Sequence, residues 1–261
     1  MEIREASAED LPGLAALPAA DLPEEWTAWA DEPHRTLVAV GAGQVVGAVN
    51  AAVVGPNEGW VEGLRVRGED LALEDRLVAE AARLLGTYGV TLLRSAAPTD
   101  RVPGWVTRRM DEVCRFQVRV DGDPGPAAGV PPVPPEAAGA AAAVLESHLL
   151  RYARGLLPLG WRWRAFQAAM ARAAARERRL LALDRQGAVL FLRRGPDRLV
   201  SAVTGSQTQA LVAAVRSDPG ARGRLACFLP QTSPEAEAFR GWPAHPWCPE
   251  GVAVYEGPVG A

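Results

Sequence analysis

Apolar and polar positions in the first half of the chain follow two periods, which together predict a sheet flanked by helices. Three apolar runs, TLVAV, VVGAVNAAVV and WVEGLRV, are separated by short glycine turns. Short turns between apolar runs are typical of an antiparallel meander. From Leu71 to Leu85 the apolar residues instead recur at helical spacing, and Gly86 follows as a stop signal. The pattern therefore predicts three strands followed by a helix.

Shorter elements lie on either side of this meander. Before it, we expect a short strand at Ile3, a helix over LPGLAAL capped by Ser7, and an amphipathic stretch around Glu24 to Ala30 that carries Trp26 and Trp29. After the helix, the sequence predicts a strand in VTLLRSAA, a short helix in VPGWVTRRMDEVC and a closing strand in FQVRV.

The second half of the chain repeats this order of elements. Helices are predicted in AAGAAAAVLESHLLRYARGLL and WRWRAFQAAMARAAARE, and strands in RLLALDR, GAVLFLRR and RLVSAVTG. A helix in TQALVAAVRSD, a strand in LACFLPQ, a helix in SPEAEAFRG and a strand in GVAVYEGPV follow. A repeated order of this kind indicates an internal duplication.

A proline-rich segment, Asp121 to Glu136, separates the two halves. Its prolines can neither continue a helix nor donate to a sheet ladder, so it is predicted to be an extended linker. The sequence thus predicts an N-terminal domain over residues 1–122, a linker over 123–135 and a C-terminal domain over 136–261.

Composition narrows the possible functions. The net charge is −3, which gives no support to binding of nucleic acid or of an anionic membrane, and all 28 basic residues are arginine. Without lysine, the chain cannot form an internal Schiff base or supply the lysine of a phosphate-binding P-loop. The three scattered cysteines suit a reducing compartment, and neither a secretory leader nor an apolar span is apparent. We expect a cytoplasmic protein.

Several short patterns that suggest other functions have simpler explanations. The glycines at positions 41, 43 and 47 resemble a dinucleotide fingerprint, but the run after them is too short for the required helix, so a hairpin is favoured. The three histidines are isolated from one another, and we expect no metal site. Trp161 to Arg164 interleave aromatic and basic residues, which we interpret as arginine stacked on tryptophan rather than a nucleic-acid site.

The order of elements resembles that of the GNAT acyltransferase superfamily. The resemblance rests on IREASAEDLPGL, TLVAVGAGQVVGAVNAAVV, and GLRV with LVAEAARLLGTYGVTLLRSAA in the first half. In the second half it rests on LLALDRQGAVLFLRR and on ALVAAV before LACFLPQ. It implies an α/β fold of the α+β mixed-sheet type, with two tandem GNAT-like domains.

The resemblance also implies where acyl-CoA would bind in the first half. In this family the fourth strand splays from the fifth and pantetheine pairs with its exposed edge, which here would involve Leu64, Arg65 and Val66. Gly63 within the same strand indicates a bulge. Glu62 occupies a position where the family often carries its catalytic base; the alternative is an exposed surface glutamate.

The turn after this strand departs from the family's phosphate-binding pattern, (Gln/Arg)-x-x-Gly-x-(Gly/Ala). One register places Glu69 to Glu74 in the turn, without arginine or glycine. The other keeps Arg67, Gly68 and Ala72 as cofactor-binding positions but puts Asp70 at the central glycine. In either register a pyrophosphate would face carboxylates, although carboxylates alone also stabilise a helix start.

In the second half, the corresponding turn is uncharged and offers four candidate cofactor-binding residues, Gly205, Ser206, Gln207 and Thr208. A serine or threonine helix cap explains the same residues without a ligand.

Two functions remain open. The first is an N-acyltransferase that uses acetyl-CoA as co-substrate, needs no metal, and acts on an amine of a small molecule or peptide as a monomer or homodimer. The second is a catalytically inactive tandem GNAT fold that serves as a binding or scaffold protein. The atypical turns favour it, and so does the lack of tyrosine in VPGWVTRRMDEVC and SPEAEAFRG, since the resemblance implies that the catalytic acid is often a tyrosine on the last helix.

Overall fold

The computed structural model describes residues 1–18, 22–23, 34–125, 129–183 and 187–259. The predicted amphipathic stretch with Trp26 and Trp29 lies outside them. The chain forms two compact units. Unit 1 comprises Met1–Ala97, Arg101–Glu112 and Val254–Ala261, and unit 2 comprises Pro98–Asp100 and Val113–Ala253.

Unit 1 is built on a mixed sheet with a helix on each face. Its strands follow the order β1-β2-β3-β4-β5-β13. The bounds of its strands and helices are β1 Glu2–Glu5, α1 Leu11–Ala15, β2 Arg35–Gly41, β3 Gln44–Val53, β4 Glu58–Val66, α2 Leu71–Gly86, β5 Leu92–Pro98, α3 Gly104–Arg109 and β13 Val252–Pro258.

The predicted meander is confirmed, since β2, β3 and β4 pair antiparallel in succession. The turn between β2 and β3 has Ala42 and Gly43 with φ of 48° and 74°. Two successive positive φ values are what a tight hairpin with right-handed strand twist requires. The glycines at positions 41, 43 and 47 therefore belong to a hairpin, as expected.

Helix α2 covers one face of this sheet with the apolar stripe that its spacing predicts. Leu73, Leu77 and Leu85 are all buried. The helix lies so close to β3 that a Cβ on Gly47 would come within 2.8 Å of Leu77 Cδ1, so a larger residue there would require Leu77 to shift. It connects β4 to β5, which pair in parallel, and such a crossover needs a helix of this length.

Unit 2 repeats the arrangement with the strand order β6-β12-β11-β10-β9 and a separate hairpin of β7 and β8. The bounds of its strands and helices are β6 Asp111–Val120, α4 Ala138–Ala153, β7 Leu156–Leu159, β8 Arg162–Ala165, α5 Ala168–Arg176, β9 Leu180–Ala182, β10 Ala188–Arg194, β11 Asp197–Thr204, α6 Thr208–Arg216, β12 Leu225–Pro230 and α7 Pro234–Ala238.

The helix predicted through Trp161 to Arg164 is wrong at its start, because these residues form the β7–β8 hairpin and α5 begins only at Ala168. Trp161 and Trp163 are both fully buried, and each packs against Phe228 with ring centroids 5.2 and 5.9 Å apart. The free energy gained by burying both indole rings outweighs the preference of this segment for continuing the alanine-rich helix that follows it. The rings are thus core residues and are not displayed for stacking on bases.

The two compact units interleave along the chain. Most of β13 completes the sheet of unit 1, where the Val259 amide donates to the Thr91 carbonyl (3.1 Å). Most of β6 completes the sheet of unit 2 by pairing antiparallel with β12. The division into an N-terminal domain over 1–122, a linker over 123–135 and a C-terminal domain over 136–261 stays a prediction.

Two further features concern membrane-spanning helices and the cysteine side chains. Within the described ranges, no helix combines the length and apolarity that crossing a lipid bilayer demands. Cys114, Cys227 and Cys248 are not in disulfides. Burial raises the pKa of the Cys227 thiol far above its ordinary value.

Replacement of Leu77 by Ala tests the packing of α2. The side chain is fully buried, so we expect the free energy of unfolding to fall by about 2–5 kcal/mol. Leu71→Ala is the matched control, because Leu71 on the same helix is 57% exposed and its loss should change stability by no more than about 0.5 kcal/mol. Chemical denaturation measures both, and equal effects would contradict the packing described.

Candidate active site

Strand β4 separates from β5 after a short shared ladder. The two strands pair at Glu58 with Leu92, Gly59 with Leu93 and Trp60 with Arg94. No further pair of β4 with β5 follows among the described residues, although both strands continue. The side of β4 that faces β5 is thus left without a ladder from Val61 to Val66. This is the splay that the resemblance to GNAT proteins implies.

The bulge predicted at Gly63 is confirmed. Glu62 is opposite Asn50 and Arg65 is opposite Ala48, so Gly63 and a neighbour on β4 face a single residue of β3. Gly63 has φ of 62°, a conformation that other residues adopt only with strain.

The bulge changes which side chains share a face. On a regular strand, residues three apart point to opposite sides. The bulge instead puts Glu62 and Arg65 on one face, opposite Asn50 and Ala48. The same face carries Val38, which packs with Leu17 and Ala48 in a small apolar cluster.

Glu62 is 4% exposed, so the alternative of a surface glutamate is wrong. Next to it, Asn50 accepts a hydrogen bond at Oδ1 from the Thr36 hydroxyl (2.9 Å). Glu62 is thus a buried carboxylate on the splayed part of β4, opposite the hydrogen-bonded Asn50.

Arg65 is a cation for which the described residues provide no acidic partner. Its side chain is half-buried, and its Nε is buried without a hydrogen-bond partner among the described residues. Burial lowers the pKa of the guanidinium from its ordinary value, because desolvation opposes the charged form. A cation held this way is complementary to an anionic or strongly hydrogen-bonding ligand.

The neighbouring residues of the turn have different surroundings. Leu64 is half-buried, Val66 is buried, and Gly68 and Ala72 are exposed. Arg67 is also exposed and donates to the Gln44 side-chain oxygen (3.0 Å).

Helix α2 has its own cap at the turn. The Asp70 carboxylate accepts from the Leu73 amide (2.9 Å), and the Asp70 carbonyl accepts from the Glu74 amide (3.0 Å). The amides of Leu71 and Ala72 have no acceptor in the described part of the chain. Asp70 therefore satisfies part of the helix start and leaves part of it open.

The acidic residues that follow the turn are largely neutralised. Arg108 on α3 contacts Glu74 at 3.3 Å and Asp75 at 3.1 Å, and Arg109 lies 3.6 Å from Asp75. These carboxylates raise the pKa of the Arg108 guanidinium. The unfavourable charge expected from the sequence alone is accordingly weaker, because the compensating arginines come from a helix more than thirty positions away.

Sequence reasoning missed a buried ion cluster on the same strand pair. Arg94 is 4% exposed and lies 2.8 Å from Glu58 and 2.6 Å from Glu256. Glu256 is on β13, so no local sequence signal could reveal the cluster. It joins β4, β5 and β13 where the ladder is intact and so fixes the point at which β4 diverges.

Unit 2 has a similar splay. Strand β11 pairs with β12 only from Arg198 to Val200. A register shift against β10 leaves Ser201 as an extra residue just beyond this point. Both units thus combine a short parallel ladder with a bulge where it ends.

At the turn of unit 2, the carboxylate that accepts from an amide comes from a different helix, α7. The Gly205 amide donates to Glu235 Oε1 at 3.4 Å. Ser206 and Gln207 are exposed, the Gln207 side chain does not cap α6, and Thr208 is buried. Since a carboxylate of the protein sits at this turn, the turn is less suited to phosphate than its uncharged sequence indicates.

A buried acid–base pair, also missed from the sequence, lies beside this turn. His148 Nδ1 on α4 is 3.7 Å from Glu235 Oε2 on α7, and both side chains are 5% exposed. Burial lowers the pKa of His148 more than the neighbouring carboxylate raises it. The two residues are far apart in sequence. A histidine on an amphipathic helix and a glutamate in the first turn of a helix are both common, so neither residue gave a signal by itself.

Within the described ranges, no group of three or more histidine, cysteine or acidic side chains is arranged to hold a metal ion.

Comparisons with known proteins bear on the fold. No protein-family model matches the sequence, and a search of curated proteins gives no match. Solved structures do match over nearly the whole chain. A GCN5-related N-acetyltransferase from Sphaerobacter thermophilus has a TM-score of 0.61 at 13% identity, covering 99% of this chain and 95% of that one.

Two further structures agree. A tandem GNAT protein from the clavulanic acid biosynthesis pathway has a TM-score of 0.54 at 15% identity, covering 100% of this chain and 99% of that one. A protein from Thermoplasma acidophilum has a TM-score of 0.58 at 15% identity, covering 99% and 100%. At such identities the likeness shows the fold: a mixed α/β, tandem GNAT architecture, as the sequence predicts.

The depressed pKa of His148 makes stability depend on pH. The imidazole binds a proton less readily in the folded than in the unfolded state, so the unfolded state gains protons first as pH falls below about 6.5. We expect the free energy of unfolding to fall as pH drops below that value, and this part of the dependence to vanish in His148→Gln. Denaturation at pH 7.5, 6.5 and 5.5 measures it; an unchanged dependence in the variant would contradict the assignment.

Proposed function

We propose that unit 1 is an acyl-CoA-dependent N-acyltransferase that transfers an acyl group, in the simplest case acetyl, to an amine of a small molecule or peptide. The observation that carries this proposal is the splay of β4 from β5 after Trp60. A strand side without its ladder offers backbone donors and acceptors to an extended, amide-bearing chain such as pantetheine.

The residues of unit 1 fit such a ligand along its length. Leu64, Arg65 and Val66 line the part of β4 that would pair with pantetheine. Arg67, Gly68 and the amides of Leu71 and Ala72 would face the phosphates, with the Arg65 guanidinium as a further cation.

Glu62 would act as the catalytic base. Its carboxylate would accept the proton that an acceptor ammonium loses, so that the amine nitrogen can bond to the acyl carbon while the carbon–sulfur bond breaks. Water would protonate the departing thiolate, since the helices before the last strands carry no tyrosine for that role. The amide product and free CoA balance the reaction.

A specific observation favours the alternative of a catalytically inactive binding or scaffold protein. Carboxylates of the protein occupy amides at both turns, Asp70 in unit 1 and Glu235 in unit 2. The proposal therefore assigns acyl-CoA to unit 1, where other amides and Arg65 remain, and leaves Gly205, Ser206, Gln207 and Thr208 as a prediction for unit 2.

Binding of acetyl-CoA is the first test. Calorimetric titration of the full chain should show saturable binding, and Arg65→Gln should weaken it about tenfold or more, because a charged hydrogen bond of about 1.5–3 kcal/mol is lost. Arg83→Gln is the control, since Arg83 is exposed and already paired with Glu80. Absence of heat and of thermal stabilisation at millimolar ligand would leave the scaffold alternative.

Turnover is the second test. With a panel of amines and peptides, release of free thiol from acetyl-CoA should fall about 10²–10⁴-fold in Glu62→Gln while binding is retained. Glu80→Gln, on the outer surface of α2, should behave as the parent protein. A rate–pH profile unaffected by Glu62→Gln would remove Glu62 as the base, and binding without any turnover would favour the scaffold alternative.

A further inference from the structure

A cavity in unit 2 lies where β11 ends, beside helices α4 and α7. Its volume is about 710 Å³, enough for a small organic molecule. The lining includes His148, Arg151 and Tyr152 from α4, Gly205 from the turn after β11, and Glu235 from α7. Its chemistry is set by the buried acid–base pair described above.

The Glu235 carboxylate in this lining has few donors. Its Oε1 accepts only the long hydrogen bond from the Gly205 amide, and its Oε2 has no hydrogen-bond partner among the described residues. The 3.7 Å to His148 Nδ1 exceeds hydrogen-bond length. A buried carboxylate with so little compensation is energetically unfavourable unless another donor or cation reaches it.

His148 adds a second acceptor. Because burial keeps its pKa low, the imidazole is neutral near pH 7. The proton is best placed on Nδ1, which faces the carboxylate, and Nε2 is then an acceptor. Nε2 is buried, and the described residues provide no partner for it. The lining thus presents two buried acceptors that the described residues leave unsatisfied.

The group that complements the open acceptor and the negative charge of Glu235 is a cation with several N–H donors. We propose that this cavity binds a small molecule through a primary ammonium group, which contacts Glu235 Oε2. The site goes beyond the proposed acyl transfer, which is assigned to unit 1, and it takes a ligand of the charge opposite to a phosphate.

Two neighbours support this polarity. The Gly205 amide, which an anion at this turn would need, already donates to Glu235. Arg151 is the cation of the lining; it is exposed, and its guanidinium lies over the Tyr152 ring at 5.7 Å from the centroid. Tyr152 in turn packs against His148 at 5.1 Å between ring centroids. Arg151 therefore marks the solvent-exposed end of the cavity and favours a ligand whose ammonium is at the inner end.

Titration of the full chain with butylamine, without acetyl-CoA, tests the proposal. We expect the imidazole NMR signals of His148 to shift saturably at millimolar butylamine and to be unaffected by butanol, which has the same shape without the charge. Glu235→Gln should weaken binding at least tenfold. Glu237→Gln is the matched control, because Glu237 is on the same helix but is 62% exposed and paired with Arg240.

Stability without ligand separates binding from a structural role. If Glu235 serves the ligand, Glu235→Gln should unfold at the same temperature or higher, since a poorly compensated buried charge is removed. A clear loss of stability together with unchanged butylamine binding would overturn the proposal, and so would the absence of saturable shifts in the parent protein. Inorganic phosphate that shifts the His148 signals while butylamine does not would overturn it as well.

The test does not depend on acyl transfer. Glu62→Gln in unit 1 should bind butylamine as the parent protein does, whatever its effect on turnover. Failure of the amine site would leave acetyl-CoA binding by unit 1 as it is, and the reverse also holds.

Discussion

The divergence of β4 from β5 is the constraint on which the candidate site of unit 1 depends. Parallel strands that pair along their full length leave no backbone group for a ligand, and strands that never pair leave no defined gap. Here the ladder ends at Trp60, next to the buried cluster of Arg94, Glu58 and Glu256. The ion cluster holds the strands together up to the point where they part, and the bulge at Gly63 directs Glu62 and Arg65 to one face beyond it.

The two units use the same backbone arrangement with different electrostatics. In unit 1 Glu74 and Asp75 are paired with Arg108, and the described residues provide no partner for Nε of the half-buried Arg65. In unit 2 the buried group that the described residues leave poorly compensated is instead the carboxylate of Glu235. A duplicated fold can thus offer opposite charges at equivalent turns, because a few side chains from distant helices decide the polarity while the strands stay the same.

Local patterns in the sequence predict most of the architecture. The antiparallel meander, helix α2 and the bulge at Gly63 follow from periodicity and glycine positions, which act over a few residues. Two predicted helices are wrong at one end. Asp111 to Cys114, predicted as the end of a helix, begin strand β6. At Trp161 to Arg164, burial of two indole rings against Phe228 produces a hairpin where a helix was predicted. Local secondary-structure propensity does not account for packing against a residue as distant in sequence as Phe228.

The site is less predictable for the same reason. Glu62 could be named from its strand position, but its burial could not, and Arg108, Glu256 and Glu235 reach their places from remote elements. The pairing of His148 with Glu235 joins helices at opposite ends of unit 2's sequence. Such contacts depend on the tertiary arrangement, which spacing along one helix or strand does not encode.

The exchange of closing strands affects how the chain can fold during synthesis. Strand β5 is complete at Pro98, but β13, which pairs with it in unit 1, begins only at Val252. A ribosome must therefore translate all of unit 2 before the sheet of unit 1 can be finished. Until then one side of β5 is an open sheet edge that can pair with other chains. Rapid synthesis of the rest of the chain, or binding by a chaperone, would protect the nascent protein from aggregation at this edge.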